Sequence, residues 1–253
     1  MADRTVRDVV EVMGTVFSFA IQDQDGRWPA VRPAVALWLK HVDETFSTYK
    51  ADSYISRMSS GEVTLTDCPD EVHEVDELCR RIEQDTCGFF SAHYPQRFDP
   101  TGVVKGWAAE RVSRMLTETG LPRHLVNGAG DIQLGAGPAE PDDWWVGIAH
   151  PLRPKDLVAI VKGRNMAVAT SGNAERGAHI INPHTDLPAM ELASVTLTGA
   201  QLSVLDGYAT AAFAMGDGAL DWIEGLADVE GCVVTRTGQV LHTAGFLSGG
   251  QMI

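Results

Sequence analysis

The segment Leu125-Val-Asn-Gly-Ala-Gly-Asp-Ile-Gln-Leu134 decides which kind of fold this chain adopts. Its glycines resemble the Gly-x-Gly-x-x-Gly fingerprint of dinucleotide-binding domains, but Gln133 stands where the third glycine belongs. A strand-like run from Asp131 to Leu134 follows the turn, whereas the fingerprint requires a helix there. The segment therefore predicts a tight hairpin between two short strands, which argues against a Rossmann sheet. Its small turn residues would let a ligand approach the backbone closely.

The rest of the chain supports the same fold class. Further short strands are predicted at 6–21 (one or two strands), 63–66, 144–149, 157–161, 167–170, 194–198, 232–235 and 239–242. Helices are predicted at 28–46, about 69–88, 104–119, about 200–215 and 218–226. Short strands joined by hairpin-length loops, with helices in clusters, predict an α+β fold with a largely antiparallel or mixed sheet. Because no linker or repeat interrupts the chain, we expect one domain over residues 1–253, made of two closely packed halves.

The charge balance narrows the possible partners. The chain has 253 residues and a formal net charge of −14, which disfavours binding to nucleic acid or to an anionic membrane surface. A phosphate-bearing ligand would therefore have to be held locally, by a cation, a helix N-terminus or a few basic residues. No run approaches the ~20 apolar residues of a membrane span, and the N-terminus resembles neither an export signal nor a lipid anchor. The four cysteines form no Cys-x-x-Cys pair, which favours thiols in a reducing compartment. Together, these features lead us to expect a cytoplasmic protein without a membrane anchor.

Asp206 and Thr210 are candidate metal ligands. They lie four residues apart in a small, Ala-rich run that predicts a helix, so their side chains share one helical face. A carboxylate and a hydroxyl side by side suit a hard cation such as Mg2+. The alternative is a Thr210 hydroxyl bonded to its own i−4 carbonyl beside a solvated Asp206.

The run from Phe98 to Glu110 is a candidate phosphate or flavin site. Asp99-Pro100 begins a turn, Gly102 permits close backbone approach, and Lys105 opens a helix. The alternative is a helix start whose lysine lies in solvent. The run lacks the spacing of a P-loop, and Ser171 lies outside any Gly-x-Ser-x-Gly elbow, which argues against a serine hydrolase. The histidines form no pair with the spacing of a zinc site.

Several different short motifs follow one another along the chain in a definite order. They are Met13-Gly-Thr15, Phe46-Ser-Thr-Tyr-Lys50, Asp99 to Gly106, Val126 to Ile132, Thr170-Ser-Gly172, His179-Ile-Ile-Asn-Pro183, Ser194-Val-Thr196, Asp206-Gly-Tyr-Ala-Thr210 and Thr243-Ala-Gly-Phe246. This series resembles the ApbE family of FAD:protein FMN transferases along nearly the whole chain. The resemblance implies the ApbE-like (T-fold-like) version of an α+β architecture.

The resemblance also implies a function and a site. FAD would bind with Mg2+ on its pyrophosphate, and FMN would pass to a threonine or serine hydroxyl of a target protein, releasing AMP. Mg2+ ligands would come from the carbonyl of Gly102 and from Asp206 and Thr210. Contacts to FAD are implied for Met13, Tyr49, Asp99, Lys105, Gly130, Asp131, His179 and Ile180. Catalytic roles are implied for Lys105, which would stabilise charge, and for His179 or Asp206, either of which could accept the hydroxyl proton.

One segment departs from the family pattern. Between Gly88 and Asp99 the chain is compressed, and the first of two aspartates common in members is replaced by Ser91 or absent. With water in place of the acceptor hydroxyl, the same site would act as an FAD pyrophosphatase that releases FMN and AMP. If the compressed segment has removed turnover, the protein would instead be an FAD-binding carrier. These motifs specify neither the acceptor protein nor the oligomeric state.

Overall fold

The structure is a computed structural model that describes residues 5–94, 97–138, 142–173, 177, 180–246 and 250–252. Its strands, in chain order, are β1 (Thr5–Val12), β2 (Thr15–Gln22), β3 (His93–Tyr94), β4 (Arg97–Phe98), β5 (His124–Gly128), β6 (Asp131–Leu134), β7 (Trp144–Ala149), β8 (Leu157–Gly163), β9 (Ala167–Gly172), β10 (Ile181–Asn182), β11 (Leu187–Pro188), β12 (Leu192–Gly199), β13 (Glu230–Thr235), β14 (Val240–His242) and β15 (Gly250–Met252). Its helices are α1 (Trp28–Phe46), α2 (Tyr54–Ser59), α3 (Asp70–Asp85), α4 (Thr101–Glu118), α5 (Leu202–Met215) and α6 (Ala219–Glu224), with 3-10 turns at Leu65–Asp67 and Gly216–Gly218. The prediction of an α+β fold is confirmed.

A large antiparallel sheet runs through the centre of the molecule. Within the described residues it has eight strands in the order β1-β2-β5-β6-β9-β12-β13-β14. The predicted hairpin pairs β5 with β6, with Asn127 opposite Ile132 and Gly128 opposite Asp131. A smaller antiparallel sheet has the order β15-β8-β7. Two further pairs, β3 with β4 and β10 with β11, form short ribbons.

Both faces of the central sheet are covered, and successive residues of a strand belong to the cores on its two faces in turn. On β9, Ala167 and Ala169 belong to a hydrophobic core shared with the helices. Val168 between them belongs to a second core, which it shares with Val146 and Ile148 of β7. A strand that is buried on both faces has a nearly continuous apolar sequence. Because one core contains helix residues and the other contains residues of β7, the helices lie on one side of the central sheet and the smaller sheet lies on the other.

Two glycines let the helices α4 and α5 approach closely. A Cβ on Gly106 of α4 would lie 2.8 Å from the carbonyl oxygen of Leu202 and 2.8 Å from the Cβ of Asp206. A Cβ on Gly207 of α5 would lie 2.8 Å from Ile82 of α3. Since real Cβ atoms do not approach other atoms so closely, the three-helix packing depends on these positions. The Gly106 contact fixes the N-terminal turns of α4 against the N-terminal turns of α5.

One predicted strand is wrong. Residues 63–66 do not pair with a strand; instead, Leu65–Asp67 forms a 3-10 turn. The Asp67 carboxylate accepts hydrogen bonds from the backbone N–H of Thr64 at 2.8 Å and from its hydroxyl at 2.7 Å. Thr and Asp satisfy backbone groups locally in this way, which competes with strand pairing.

None of the helices in the described ranges combines the length and the apolar character needed to cross a bilayer.

Candidate functional site

A cavity of about 680 Å3 lies where strands of the central sheet end beside the α4–α5 contact. Its walls come from the first turn of α4, the middle of α5, the β5–β6 turn, the end of β9, strand β7 and the ribbon β10–β11. Many predicted site residues share this cavity: Asp99, Gly102, Lys105, Gly130, Asp131, Ile180, Asp206 and Thr210 line it. Residues as far apart in sequence as Asp99 and Thr210 thus meet in one place.

Asp206 is buried at the base of this cavity. It is 5% exposed, and its Oδ2 accepts a hydrogen bond of 2.9 Å from the backbone N–H of Gly106. A carboxylate that accepts a backbone N–H is oriented by that bond and held in place. The alternative of a solvated aspartate therefore does not hold.

Thr210 lies one helical turn beyond Asp206 and also faces the cavity. Its Oγ1 lies 3.2 Å from Oγ of Ser171, at the end of β9, within hydrogen-bond distance. The same Oγ1 lies 3.8 Å from the point where a Cβ on Gly102 would be. No back-bond from Thr210 to the carbonyl of Asp206 occurs in the described part of the chain, so that alternative does not hold either. Helix α5, strand β9 and the start of α4 therefore meet at this hydroxyl.

Lys105 turns into the cavity and not into solvent. Its side chain is 18% exposed, and its Nζ lies 3.9 Å from Oδ2 of Asp131. Asp131 is buried, and its Oδ1 accepts a 3.1 Å hydrogen bond from the backbone N–H of Thr170. The hairpin turn before Asp131 has positive φ at Ala129 and at Gly130, 60° and 101°. This left-handed turn, closed by the side chain of Asn127 bonded to the N–H of Gly130 at 2.8 Å, aims Asp131 at the lysine.

Asp99 lies just before α4 and accepts hydrogen bonds from the first residue of that helix. Its Oδ1 accepts hydrogen bonds from the backbone N–H of Thr101 at 3.3 Å and from the Thr101 hydroxyl at 2.7 Å. Its Oδ2 lies 3.3 Å from the guanidinium of Arg97, which also lines the cavity. A carboxylate at a helix N-terminus is favoured by the helix dipole. Asp99 thus fixes the helix start that presents Gly102 and Lys105.

Aromatic side chains form the wall on the helix side. Phe89, Phe90 and Tyr94 line the cavity there. The Cζ atom of Arg97 lies over the Tyr94 ring, 5.1 Å from its centroid. A Cβ on Gly102 would lie 3.0 Å from Phe90, so this glycine and this ring fit together. Such a wall suits a flat ring system.

The ribbon that carries Tyr94 and Arg97 is tied to helix α3. His93 stacks on Phe98, with ring centroids 5.1 Å apart, and its Nε2 lies 2.8 Å from Oδ1 of Asp76. Burial alone would raise the pKa of Asp76, but hydrogen bonds from Arg80 and His93 outweigh it and hold that pKa below its usual range. An ionised Asp76 therefore anchors the cavity wall.

Three predicted site residues lie elsewhere or cannot be described. Tyr49, which is 97% exposed, and Met13, in the β1–β2 turn with φ 53°, are absent from the described lining of the cavity. His179 lies outside the described residues. Its neighbour Ile180 is buried in the cavity wall. The resemblance-based roles of Met13, Tyr49 and His179 stay predictions.

Sequence reasoning missed the far wall of the cavity. Strand β7 and the loop after it contribute Val146, Ile148 and His150. The sequence predicts a short strand over 144–149, and the structure shows that this strand has one buried face, part of which borders the cavity. The sequence around Ser171 argues against a nucleophile, but it gives no sign that this serine lies beside Thr210.

The oxygen atoms here form a distinct donor set. Within the described residues, no three His, Cys, Asp or Glu side chains form a group that could hold a metal ion. A metal at this place would depend on one carboxylate, Asp206, and on the neutral oxygens of Thr210 and Gly102. Such an all-oxygen set suits Mg2+, which binds few carboxylates and completes its coordination with waters and substrate phosphates. It does not suit zinc.

Comparison with known proteins finds one matching family and several relatives that share one name. Residues 91–233 match the model of the ApbE family. A Rhodobacter capsulatus protein named FAD:protein FMN transferase is 27% identical over 203 residues, or 77% of this chain and 35% of that protein. A Klebsiella pneumoniae protein of the same name is 29% identical over 146 residues, or 53% of this chain and 42% of that protein. The chain thus spans less than half the length of the curated relatives it matches.

Solved structures show the same fold at greater sequence distance. The flavin transferase ApbE from Vibrio cholerae has a TM-score of 0.82 at 18% identity, over 97% of this chain and 99% of that chain. The flavinyl transferase ApbE from Pseudomonas stutzeri has a TM-score of 0.83 at 20% identity, over 98% of each chain. The architecture predicted from the motifs is therefore confirmed.

Proposed function

This chain belongs to the ApbE family, and we propose that it transfers FMN from FAD to a threonine or serine hydroxyl of a target protein. Relatives that carry the name FAD:protein FMN transferase support the proposal. In the reaction, the acceptor oxygen forms a bond to the phosphorus of the FMN half. The bridging bond of the pyrophosphate breaks, AMP leaves, and the hydroxyl proton passes to a base.

The observation that carries this proposal is the convergence of oppositely charged groups on one cavity. Asp206 and Thr210 on α5 lie against the first turns of α4, where Lys105 faces Asp131 at 3.9 Å. An acidic protein can hold a pyrophosphate only by such a local arrangement. Phosphoryl transfer needs positioning and charge stabilisation more than covalent chemistry, and both are functions of this cluster.

We propose that Asp206, Thr210 and the carbonyl of Gly102 hold Mg2+. The ion would stabilise the negative charge that develops on the pyrophosphate oxygens. Asp206 is held for this role by the N–H of Gly106. Lys105, kept in the cavity by Asp131, would stabilise charge on the phosphate or on the leaving AMP. His179 or Asp206 would accept the proton of the acceptor hydroxyl.

The aromatic wall would receive the isoalloxazine ring. Phe89, Phe90 and Tyr94 border the same cavity as Lys105, and flat aromatic rings prefer offset or edge contacts with other rings. This assignment gives the compressed segment between Gly88 and Asp99 a positive role, since it supplies the wall itself.

We also propose that the protein works in the cytoplasm. Its four cysteines, Cys68, Cys79, Cys87 and Cys232, are free thiols. Burial raises the pKa of Cys232 to about 11, which keeps this thiol protonated and inert at neutral pH. Free thiols are typical of reducing compartments.

One experiment tests the activity. The purified protein is incubated with FAD, Mg2+ and a candidate acceptor domain; AMP release is measured, and flavin fluorescence is sought on the acceptor after denaturing electrophoresis. Covalent fluorescence together with AMP supports transfer. FMN and AMP without labelled acceptor indicate a pyrophosphatase, and bound FAD with neither product indicates a carrier. Absence of FAD binding at micromolar concentration contradicts all three hypotheses: the transferase, the pyrophosphatase and the carrier.

A further inference from the structure

His150 lines the cavity but has no part in the site described above. It follows β7, where buried and exposed residues alternate, and it continues that pattern as a buried residue, 6% exposed. Its backbone N–H donates to the carbonyl of Asp156 at 2.9 Å, which closes the loop between β7 and β8. Arg153 and Asp156 form an ion pair of 3.5 Å across the same loop. His150 is thus a buried polar residue on a well-braced turn.

The imidazole ring of His150 has one defined orientation. Its Nδ1 accepts a hydrogen bond of 3.1 Å from the backbone N–H of Leu152. A ring nitrogen that accepts a bond carries no proton, so the neutral ring carries its proton on Nε2. The described residues provide no hydrogen-bond partner for Nε2. While Leu152 occupies Nδ1, the side chain is a donor and not a base.

His150 lies on the far side of the central sheet from the candidate metal ligands Asp206 and Thr210. Its neighbours on β7, Val146 and Ile148, belong to the core between the two sheets, whereas Phe90 belongs to the core on the helix side. One cavity nevertheless reaches both sets of residues. A ligand that fills it must therefore extend from the α4–α5 contact, past the β5–β6 turn, to β7. FAD, with two ring systems joined by a pyrophosphate, has this elongated form.

We propose that His150 is an FAD-binding residue, whose Nε2–H donates a hydrogen bond to an acceptor atom of the bound dinucleotide. The inference rests on the proposed function, because it takes FAD as the ligand. A donor on the wall of a binding cavity loses its bond to water when the ligand enters, and it selects for ligands that replace that bond. His150 would therefore contribute to the choice of FAD and not to the chemical step.

Two substitutions separate the donor from the turn. In His150→Asn, the side-chain oxygen can still accept from the N–H of Leu152, as in an Asx-turn, but no donor reaches the place of Nε2. In His150→Gln, a longer amide carries an N–H donor closer to that place. We expect FAD to bind about five- to tenfold more weakly to His150→Asn, and His150→Gln to recover part of the loss. His73→Asn on the exposed face of α3 is the matched control and should bind as the wild type does.

The measurement is the dissociation constant for FAD and for FMN alone, from the change in flavin fluorescence, and for AMP alone, from its displacement of bound FAD. The fragment whose affinity falls in His150→Asn is the half that His150 contacts. Protection of the Leu152 amide from hydrogen exchange confirms that the loop is intact in that variant. Equal FAD affinity of wild type and His150→Asn overturns the inference while the proposed function stands. If the wild type binds no FAD, the proposed function fails, and the inference fails with it.

Discussion

The backbone N–H of Gly106 donates a 2.9 Å hydrogen bond to Oδ2 of Asp206, and this bond joins α4 to α5 at the base of the cavity. The two residues are 100 positions apart in sequence. Gly106 can come this close only because it has no side chain, since a Cβ there would lie 3.0 Å from the same Oδ2. The contact that packs the helices and the contact that orients the candidate metal ligand are therefore the same contact. Substitutions at Asp206 must be designed to separate these two roles.

Asp206→Asn should strongly reduce Mg2+-dependent turnover without unfolding the protein. The amide oxygen of asparagine can still accept from Gly106, but it is a much weaker ligand for Mg2+ than a carboxylate. We expect the rate of FMN transfer to fall on the order of a hundredfold. The rate is measured as AMP release with saturating FAD, and the melting temperature is measured alongside.

Asp206→Ala provides the contrast. It removes the acceptor of a buried N–H, which should cost about 1–3 kcal/mol of unfolding free energy. A large activity loss with little loss of stability in Asp206→Asn, but both losses in Asp206→Ala, supports the double role. Full activity in Asp206→Asn would remove this residue from the metal site.

Gly106→Ala should destabilise the protein strongly for its size. The new methyl group would meet the backbone carbonyl of Leu202 at 2.8 Å, and backbone atoms cannot move aside as the end of a long side chain can. Overpacking of this kind costs about 1–3 kcal/mol. Gly218→Ala is the matched control, because a Cβ on Gly218 meets nothing within 4 Å. Urea unfolding of both variants gives the comparison, and equal midpoints would show that α4 and α5 can separate at little cost.

Much of the fold could be predicted from local patterns, but its exceptions have clear causes. The turn around Gly130 and the helix from 28 to 46 have strong local signals, a left-handed turn and a regular apolar face. Residues 63–66 have a strand-like composition, but Thr64 and Asp67 satisfy their backbone groups in a short turn. Propensity is a weak guide wherever such local bonds compete.

The site was predictable where motifs carried it and not where tertiary packing made it. Helical spacing and a helix start indicate Asp206 and Lys105 as candidates, the family resemblance supplies their roles, and each lies in the cavity. The wall at β7 could not be identified, because burial on one face of a strand looks the same in sequence whether the neighbour is a core or a ligand cavity. Tyr49 lies within a matching motif and is 97% exposed, so motif membership alone does not place a side chain in the cavity, and its role stays a prediction.

Lys105→Met should weaken FAD binding and slow transfer. The substitution keeps most of the apolar stem but removes the charge that lies 3.9 Å from Asp131 in the cavity. Loss of a charged hydrogen-bond donor should weaken FAD binding about tenfold or more. Lys40→Met is the control, since Lys40 forms a 3.5 Å ion pair with Glu44 on the surface of α1, away from the cavity. If both variants bind FAD equally well, Lys105 has no role in holding the phosphates.

Thr210→Val should change the demand for Mg2+ more than the maximal rate. Valine has nearly the shape of threonine but lacks the hydroxyl, which lies 3.2 Å from Oγ of Ser171. Since a hydroxyl is a weaker ligand than a carboxylate, we expect the Mg2+ concentration for half-maximal activity to rise about three- to tenfold. Ser171→Ala keeps the Thr210 hydroxyl and serves as the comparison. A larger effect from Ser171→Ala than from Thr210→Val would mean that the serine is the ligand.

Asp76→Asn should flatten the acid limb of the stability curve. The pKa of Asp76 in the folded protein is lowered, with hydrogen bonds from Arg80 and His93 outweighing the effect of burial. A lowered pKa stabilises the folded state above the unfolded value of about 3.9, and this stabilisation is lost as the pH falls through the folded value. The wild type should therefore lose stability below about pH 4 more steeply than Asp76→Asn, which should already be less stable at pH 7. Urea unfolding at pH 7 and at steps from pH 5 to pH 2.5 measures both effects, with exposed Asp52→Asn as the control. Parallel curves for wild type and Asp76→Asn would show that the carboxylate does not anchor the ribbon that carries Tyr94 and Arg97 to the cavity.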